Sequence, residues 1–139
     1  MGDSQGELKE YGFRKVGAWT LQNGQLKPEY EDDQLVDERV IYAYVADRKV
    51  KYIGICQADE TTLRKRLSKH KWNKKTKKLK SVKYLRDALK EKQRVAIYAW
   101  YPAKKRIYEK LQIDLIKGLE SPLICRFKTV KNGWNRHEG

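Results

Sequence analysis

Cysteine is scarce in this sequence, in which Cys56 and Cys125 are the only two among 139 residues. A single pair excludes the dense disulfide framework of small secreted domains and is typical of an intracellular protein with free thiols. Long apolar runs are also missing, since no stretch reaches the roughly 18 residues that span a bilayer. The polar segment 1–10 lacks the apolar core of a secretory signal. We therefore expect a cytoplasmic protein.

Acidic residues are too few to balance the basic ones. The chain has 18 Asp and Glu against 32 Lys and Arg, which leaves a net charge of +14 at pH 7. Such a charge attracts polyanions, and the release of their counterions makes binding sensitive to salt. Nucleic acid, an anionic membrane and an acidic protein are the candidate partners. Because nothing resembles an amphipathic membrane anchor, nucleic acid is favoured and no membrane partner is expected.

The chain shows no internal repeat and no Gly/Ser-rich linker, and its length is that of one domain. We expect an N-terminal hairpin arm over residues 1–38 and a core over residues 39–135. The pair Asn23-Gly24 lies between extended runs and predicts the turn of the arm. The β-branched and aromatic runs 40–45 and 50–55 predict two strands that pair with each other.

The second half of the chain predicts mostly helices, which begin with one opened by residues 60–62. The later segments predict, in order, a helix over 81–92, a strand over 95–101, a long helix over 104–117 and a short helix begun by Ser121-Pro122. The long helix is inferred from Ile107, Leu111 and Leu115, spaced four residues apart, and Gly118 would end it. The predicted fold class is a mixed α/β (α+β) sandwich, a small antiparallel-containing sheet flanked by helices.

Five short motifs follow one another in a fixed order along the chain. They are Val40-Ile41-Tyr42, Tyr52-Ile53-Gly54, Leu63-Arg64-Lys65-Arg66, Glu120-Ser121-Pro122-Leu123 and Trp134-Asn135. Their order, preceded by Tyr11-Gly12-Phe13, resembles that of the GIY-YIG nuclease family, most closely its small type II restriction enzymes and phage endonuclease II-like enzymes. The resemblance implies the GIY-YIG fold and a Mg²⁺-dependent DNA endonuclease from a bacterial or phage-infected cell.

Glu120 is the candidate metal ligand. Cleavage of a phosphodiester needs a nucleophilic water and a cation on the developing phosphorane charge. A carboxylate is a hard oxygen ligand for Mg²⁺, which keeps several waters and takes few protein carboxylates. One carboxylate in the motif set predicts one Mg²⁺ per active site, with Mn²⁺ as a possible substitute. The alternative is that Glu120 is an acid favoured at a helix start by the helix dipole.

Arg66 is the candidate phosphate ligand, because a guanidinium can bind a phosphate in a bidentate manner. Arg64 and Lys65 are alternatives, and spacing favours Arg66 since it precedes the apolar Leu67. His70 lies four residues later on the same helix face and can contact the same phosphate. Its alternative interpretation is an exposed histidine within a lysine run.

Tyr42 is implied by the resemblance to be the general base or the residue that orients water, and Tyr52 its partner, while Gly54 is assigned a structural role near the site. Tyrosine is also an ordinary strand residue, and Tyr44 is interpreted in that way. Because side chains alternate between faces, a regular hairpin with a two-residue loop would separate Tyr42 from Tyr52. A shared site therefore predicts an odd-length loop or a bulge.

A lysine-rich segment is the candidate DNA-binding surface, although such runs are often only solvated. Its proposed contacts are Lys69, Lys71, Trp72, Lys74, Lys75, Lys77, Lys78 and Lys80. Asn135 is interpreted as structural or near the site. The sequence departs from the family pattern at Val40, which replaces a glycine, in the longer connection 56–62, and in a tail that lacks a proline pair.

The motif set predicts a metal-dependent endonuclease on double-stranded DNA, site-specific in the manner of restriction enzymes and acting as a homodimer. The alternatives are a weakly specific nicking enzyme of a phage or mobile element, a catalytically silent nucleic-acid-binding module, and an adaptor for an acidic protein. The sequence does not reveal the DNA recognition sequence or whether modified bases are required. It also does not show whether one or both strands are cut, or which biological process the enzyme serves.

Overall fold

The computed structural model describes residues 4–31, 35–36, 38–56, 62–68, 79–102, 105–108 and 111–136. These residues form four α-helices and seven β-strands. The helices are α1 (Ser4–Tyr11), α2 (Leu63–Ser68), α3 (Lys80–Lys90) and α4 (Leu115–Phe127). The strands are β1 (Arg14–Gln22), β2 (Gln25–Tyr30), β3 (Ile41–Ala46), β4 (Lys49–Ile55), β5 (Val95–Trp100), β6 (Lys105–Tyr108) and β7 (Leu111–Asp114).

A five-stranded sheet in the order β2-β1-β5-β3-β4 forms the centre of the molecule. Every neighbouring pair in it is antiparallel, so the α+β fold class is confirmed. The β1–β2 turn is formed by Asn23 and Gly24 with φ of 52° and 79°, which confirms the predicted hairpin. Because β1 also pairs with β5, the segment expected as an arm supplies two strands of the central sheet.

The two faces of the sheet bury different side chains. One face, covered by α2 and α3, buries Tyr42, Tyr44 and Trp19, with the partly buried Tyr52 packed against them. We call it the tyrosine face. The other face, covered by α1 and α4, buries aliphatic residues of the same strands; these include Ile41, Ala43, Val45, Ile53 and Ile55. We call it the aliphatic face, and its apolar burial contributes much of the driving force for folding.

A β-bulge in β4 decides which face receives Tyr52. The β3–β4 turn has two residues, Asp47 and Arg48, both with positive φ (53° and 59°). Beyond it Val45 pairs with Val50, but Tyr44 pairs with Tyr52, so Lys51 is an extra residue in β4. The extra residue changes the alternation of side chains. The prediction of a loop of odd length or a bulge is therefore confirmed in its second form.

The segment 104–117 is not the long helix that its apolar spacing predicted. Residues 105–108 and 111–114 form the antiparallel pair β6–β7. Helix α4 begins after Asp114, whose carboxylate accepts hydrogen bonds from the amides of Ile116 (3.0 Å) and Lys117 (3.4 Å). This side-chain cap satisfies amides at the helix start, which is why the helix begins there.

Gly118 and Pro122 both lie inside α4, so the prediction that one ends a helix and the other begins a new helix is wrong. Proline removes the hydrogen bond to the carbonyl four residues earlier, which here belongs to Gly118. Both residues are exposed, so water can satisfy that carbonyl and the helix continues. Glu120 consequently lies within α4 and does not open it.

Helices α2 and α3 and strand β5 agree with the predicted segments to within a few residues, whereas α1 was not anticipated. Helix α1 lies on the aliphatic face with Leu8 fully buried. Its Glu7 forms a bidentate ion pair with Arg126 of α4, at 2.6 and 3.2 Å. No helix among the described residues is long and apolar enough to cross a membrane.

Candidate active site

Tyr42 lies at the centre of the tyrosine face, where its side chain is fully buried. Its strand neighbour across the β3–β4 pair is Gly54. A Cβ at Gly54 would lie 2.5 Å from Cζ and 2.6 Å from the hydroxyl oxygen of Tyr42. Glycine is therefore required at this position because the ring of Tyr42 fills the space above it, which gives the Tyr52-Ile53-Gly54 motif a structural reason.

Tyr42, Tyr44 and Tyr52 form one cluster of rings. The centroid of the Tyr52 ring lies 6.1 Å from that of Tyr42 and 5.0 Å from that of Tyr44, with which it stacks. Trp19 of β1 meets Tyr44 edge-on at 5.8 Å, and Trp134 lies 6.5 Å from the same ring. The structure thus brings Tyr42 and Tyr52 together, and Tyr44 packs between them and the two tryptophans.

Arg66 reaches this cluster from α2. Its Nε donates a hydrogen bond to the hydroxyl of Tyr42 at 3.3 Å. The two alternatives at this step of the chain point elsewhere: the guanidinium of Arg64 lies 4.9 Å from the ring centroid of Tyr30, and Lys65 is exposed. Arg66 is therefore the cation of this helix that meets the tyrosines, and its remaining N–H groups can bind a phosphate.

Glu120 approaches from α4, which packs against β4. Its carboxylate interacts electrostatically with both Tyr52 and Arg66. Burial raises the pKa of Glu120 above its ordinary 4.5, and Arg66 opposes that change. Among the described residues none donates a hydrogen bond to this carboxylate, and none groups with it as a cluster of three metal-binding side chains. A partly buried carboxylate in this state fits a hard cation such as Mg²⁺ with few protein ligands.

The two phenols are neutral at pH 7. Burial raises the pKa of Tyr42 well above its usual 10.0, and Tyr52 raises it further, while Arg66 opposes both effects. Burial also raises the pKa of Tyr52, which Arg66 and the hydroxyl of Tyr42 lower and Glu120 raises. Either phenol can act as a base only if further positive charge reaches the site, because a buried phenolate is otherwise poorly solvated.

Three residues at the site were not identified from the sequence. Ser81, in the first turn of α3, lies close enough to Tyr52 for its hydroxyl to lower the pKa of that phenol. Cys56 is fully buried beside Tyr42 and Arg66, and burial raises the pKa of its thiol. Tyr44 was interpreted as an ordinary strand residue, yet its ring stacks on Tyr52. The one available signal was its two-residue spacing from Tyr42, which puts both side chains on one face.

Asn135 lies at β4 and not at the centre of the tyrosine cluster. Its Oδ1 accepts a hydrogen bond from the amide of Ile53 at 2.8 Å, and its Nδ2 donates to the carbonyl of the same residue at 2.9 Å. The amide of Trp134 donates to the carbonyl of Lys51 at 2.6 Å. The segment 128–136, here called the C-terminal segment, therefore binds the backbone on both sides of Tyr52.

Lys80 is engaged with the same segment. Its Nζ donates to the backbone carbonyls of Val130 at 3.1 Å and Asn135 at 3.0 Å. It was expected to contact DNA together with its lysine-rich neighbours. His70 and the other proposed DNA contacts lie outside the described residues: Lys69, Lys71, Trp72, Lys74, Lys75, Lys77 and Lys78.

Solved structures similar to this chain include two endonucleases. A structure of bacteriophage T4 EndoII with a glutamate-to-alanine substitution has a TM-score of 0.71 and 24% identity, covering 94% of this chain and 99% of the other. Restriction endonuclease HPY188I in complex with product DNA has a TM-score of 0.53 and 21% identity, covering 93% and 80%. No family model and no curated protein sequence matches this chain. At these identities the likeness establishes a shared fold.

Proposed function

We propose that this chain is a metal-dependent DNA endonuclease of the GIY-YIG type. The observation that carries the proposal is that Tyr42, Tyr52 and Arg66 meet on the tyrosine face. The Glu120 carboxylate, from α4 beside β4, is near enough to interact electrostatically with Tyr52 and Arg66. Hydrolysis of a phosphodiester needs an activated water and positive charge on the phosphate. A phenol can orient the water, a guanidinium can bind the phosphate, and a carboxylate can hold a cation. The fold shared with EndoII and HPY188I supports the same interpretation.

In this proposal each residue has a distinct task. Arg66 binds the scissile phosphate with the N–H groups that Tyr42 does not use, and it opposes the negative charge that develops there. The Tyr42 oxygen, which accepts a hydrogen bond from the Arg66 Nε, orients the attacking water and, once ionised to phenolate, receives its proton. Tyr52 lies beside Tyr42 and holds the reacting groups in place. His70 is proposed as a second phosphate contact.

Glu120 is the residue that would hold Mg²⁺. When bound, a divalent cation supplies positive charge to the phosphate oxygens and lowers the pKa of nearby groups. The phenol of Tyr42 is neutral without the cation, and the positive charge of a bound cation would favour its ionised form. Since Glu120 is the one motif carboxylate, we propose one metal per active site.

The proposed substrate is double-stranded DNA. The net charge of +14 supports a polyanionic partner whose binding weakens with salt. A single active site per chain cuts one strand at a time, so cleavage of both strands at a palindromic site needs two chains related by a two-fold axis. We therefore propose a homodimer on DNA with restriction-type specificity.

The proposal is tested by cleavage of supercoiled plasmid and genomic DNA with Mg²⁺ or Mn²⁺. We expect discrete fragments from the wild type and none from Glu120→Gln, which keeps the size of the side chain and removes its charge. Glu10→Gln makes the same charge change at an exposed position of α1 and should cut like the wild type. If both variants lost cleavage, the loss would follow from the change in net charge and not from the position of Glu120.

Two other outcomes decide between the alternatives. Nicks at many positions without discrete fragments would favour a weakly specific enzyme of a phage or mobile element. If neither protein cuts modified or unmodified DNA, yet both bind it with steep salt dependence, the chain is a nucleic-acid-binding module without activity.

A further inference from the structure

Lys80 makes an unusual use of a positive charge in this strongly basic chain. As the first residue of α3 it adjoins Ser81, and its ammonium donates to the carbonyls of Val130 (3.1 Å) and Asn135 (3.0 Å). Two of its three N–H donors are thereby directed at backbone of the C-terminal segment. Hydrogen bonds from a charged donor are about twice as strong as neutral ones.

The C-terminal segment in turn binds the backbone on both sides of Tyr52. Trp134 binds the carbonyl of Lys51 at 2.6 Å, and Asn135 binds both polar groups of Ile53 at 2.8 and 2.9 Å. Lys51 is the extra residue of the β-bulge, where the hydrogen bonds of the strand pair are interrupted. The contacts of the C-terminal segment therefore stabilise β4 at the point where pairing with β3 is weakest.

We propose that Lys80 is a positioning residue for Tyr52. By anchoring the C-terminal segment to the start of α3, it fixes the bulge and the Tyr52 ring between β3 and α3. The proposal replaces the DNA contact expected for Lys80 from its sequence neighbours. Its catalytic consequence rests on the proposed function, whereas its structural consequence does not.

A displacement of Tyr52 would reduce the rate without reducing affinity for DNA. Misplacement of a reacting group by about 1 Å can cost roughly a hundredfold in rate. If Lys80 instead contacted a DNA phosphate, its loss would weaken binding. The negative slope of log affinity against log salt concentration would then become shallower by about 0.9. A positioning role therefore predicts a lower kcat with an unchanged KM, whereas a phosphate contact predicts a higher KM.

The experiment compares Lys80→Met with Lys80→Arg and Lys90→Met. Methionine keeps the apolar stem without the donors, and arginine keeps the charge with enough N–H donors for both carbonyls. Lys90 is an exposed residue at the other end of α3. We expect Lys80→Met to lower kcat about tenfold or more, with KM and the salt slope unchanged. Lys80→Arg should recover most of the rate, and Lys90→Met should match the wild type.

Amide hydrogen exchange without DNA tests the structural step on its own. In Lys80→Met the amides of Ile53 and Trp134 should exchange at least tenfold faster, while those of β5 keep their protection. Unchanged protection at both amides, or a raised KM with a lower salt slope, would overturn the proposal and restore Lys80 as a DNA contact. If no variant and no wild-type sample cuts DNA, the proposed function fails while the exchange result still decides the role of Lys80.

Asn135→Asp provides a second variant in case Lys80→Met does not fold. It keeps the acceptor for the Ile53 amide and removes the donor to the Ile53 carbonyl. Faster exchange at Ile53 with a lower kcat and the wild-type KM would support the proposal. A wild-type kcat despite faster exchange would overturn it, because Tyr52 would then not depend on the C-terminal segment.

Discussion

The tyrosine face and the aliphatic face are built from alternate residues of the same strands, yet they differ in chemistry. On β3 the residues Ile41, Ala43 and Val45 face α1 and α4, whereas Tyr42 and Tyr44 face α2 and α3. Both sets are almost completely buried. Aliphatic side chains gain free energy simply by leaving water, whereas a buried phenol also needs a hydrogen-bond partner for its hydroxyl.

Within one sheet, the aliphatic face therefore contributes mainly to stability, and the tyrosine face carries the groups that can take part in chemistry. The aliphatic face contributes apolar burial and holds no proposed catalytic group of β3 or β4. The tyrosine face carries hydroxyls beside the Arg66 guanidinium, and burial raises the pKa of Tyr42 and Tyr52. Buried groups with perturbed pKa values are typical of functional sites. Substitutions on the two faces should therefore have opposite consequences for stability and activity.

The largest expected effect is on the tyrosine face. Tyr42→Phe removes the hydroxyl that accepts the Arg66 Nε, and loss of one acid–base group typically costs about 10²–10⁴-fold in rate. Stability in urea should change by less than about 1.5 kcal/mol, the usual contribution of one hydrogen bond. Tyr101→Phe, at an exposed tyrosine, is the matched control. If Tyr42→Phe cleaved DNA as fast as the wild type, the Tyr42 hydroxyl would have no part in the mechanism. The proposed catalytic role of the tyrosine face would then be contradicted.

An intermediate effect is expected on the aliphatic face. Leu8 of α1 is fully buried there, so Leu8→Ala should lower the free energy of unfolding by about 2–5 kcal/mol. Leu8→Met nearly preserves the volume and should cost less than about 1.5 kcal/mol. Urea unfolding measures both, and the folded fraction should cleave DNA at the wild-type rate. A large loss of kcat in folded Leu8→Ala would mean that the two faces are coupled.

The smallest effect is expected at the outer surface of the aliphatic face. The Arg126 guanidinium holds the pKa of Glu7 below its ordinary 4.5, so this ion pair contributes stability above that pH and loses it as the pH falls through the lowered value. The pair is partly exposed, and Glu7→Gln should cost less than about 1 kcal/mol at pH 7. The difference between wild type and variant, measured by urea unfolding, should shrink with acid. A difference that grows below pH 4.5 would contradict this assignment.

Local patterns predicted those parts of the structure that depend on neighbouring residues. The Asn23-Gly24 turn and the tyrosine-bearing strand pair followed from φ preferences and β-branched runs. Side-chain alternation required either an odd-length loop or a bulge for Tyr42 and Tyr52 to share a site, and the structure has the bulge at Lys51. Arg66 followed from its place beside the buried Leu67, and its contact with Tyr42 agrees with that reasoning.

Distant contacts explain what the sequence could not predict. The apolar spacing in 104–117 fits a helix, but the same residues also form a short antiparallel pair, and the Asp114 cap fixes where α4 begins. Lys80 was predicted to contact DNA because its sequence neighbours are lysines. Its actual partners, Val130 and Asn135, lie 50 and 55 residues away in the chain.

The side chain of Asn135 has a consequence for how copies of this chain can assemble. By pairing with both polar groups of Ile53, it imitates one residue of a further strand next to β4, the last strand of the sheet. At the opposite margin β2 contains Pro28, which has no N–H to offer a neighbour. Outer strands are otherwise templates for strand addition. Strand addition is therefore disfavoured at Ile53 on one margin and at Pro28 on the other, and we expect a dimer of this chain to form through helices and loops.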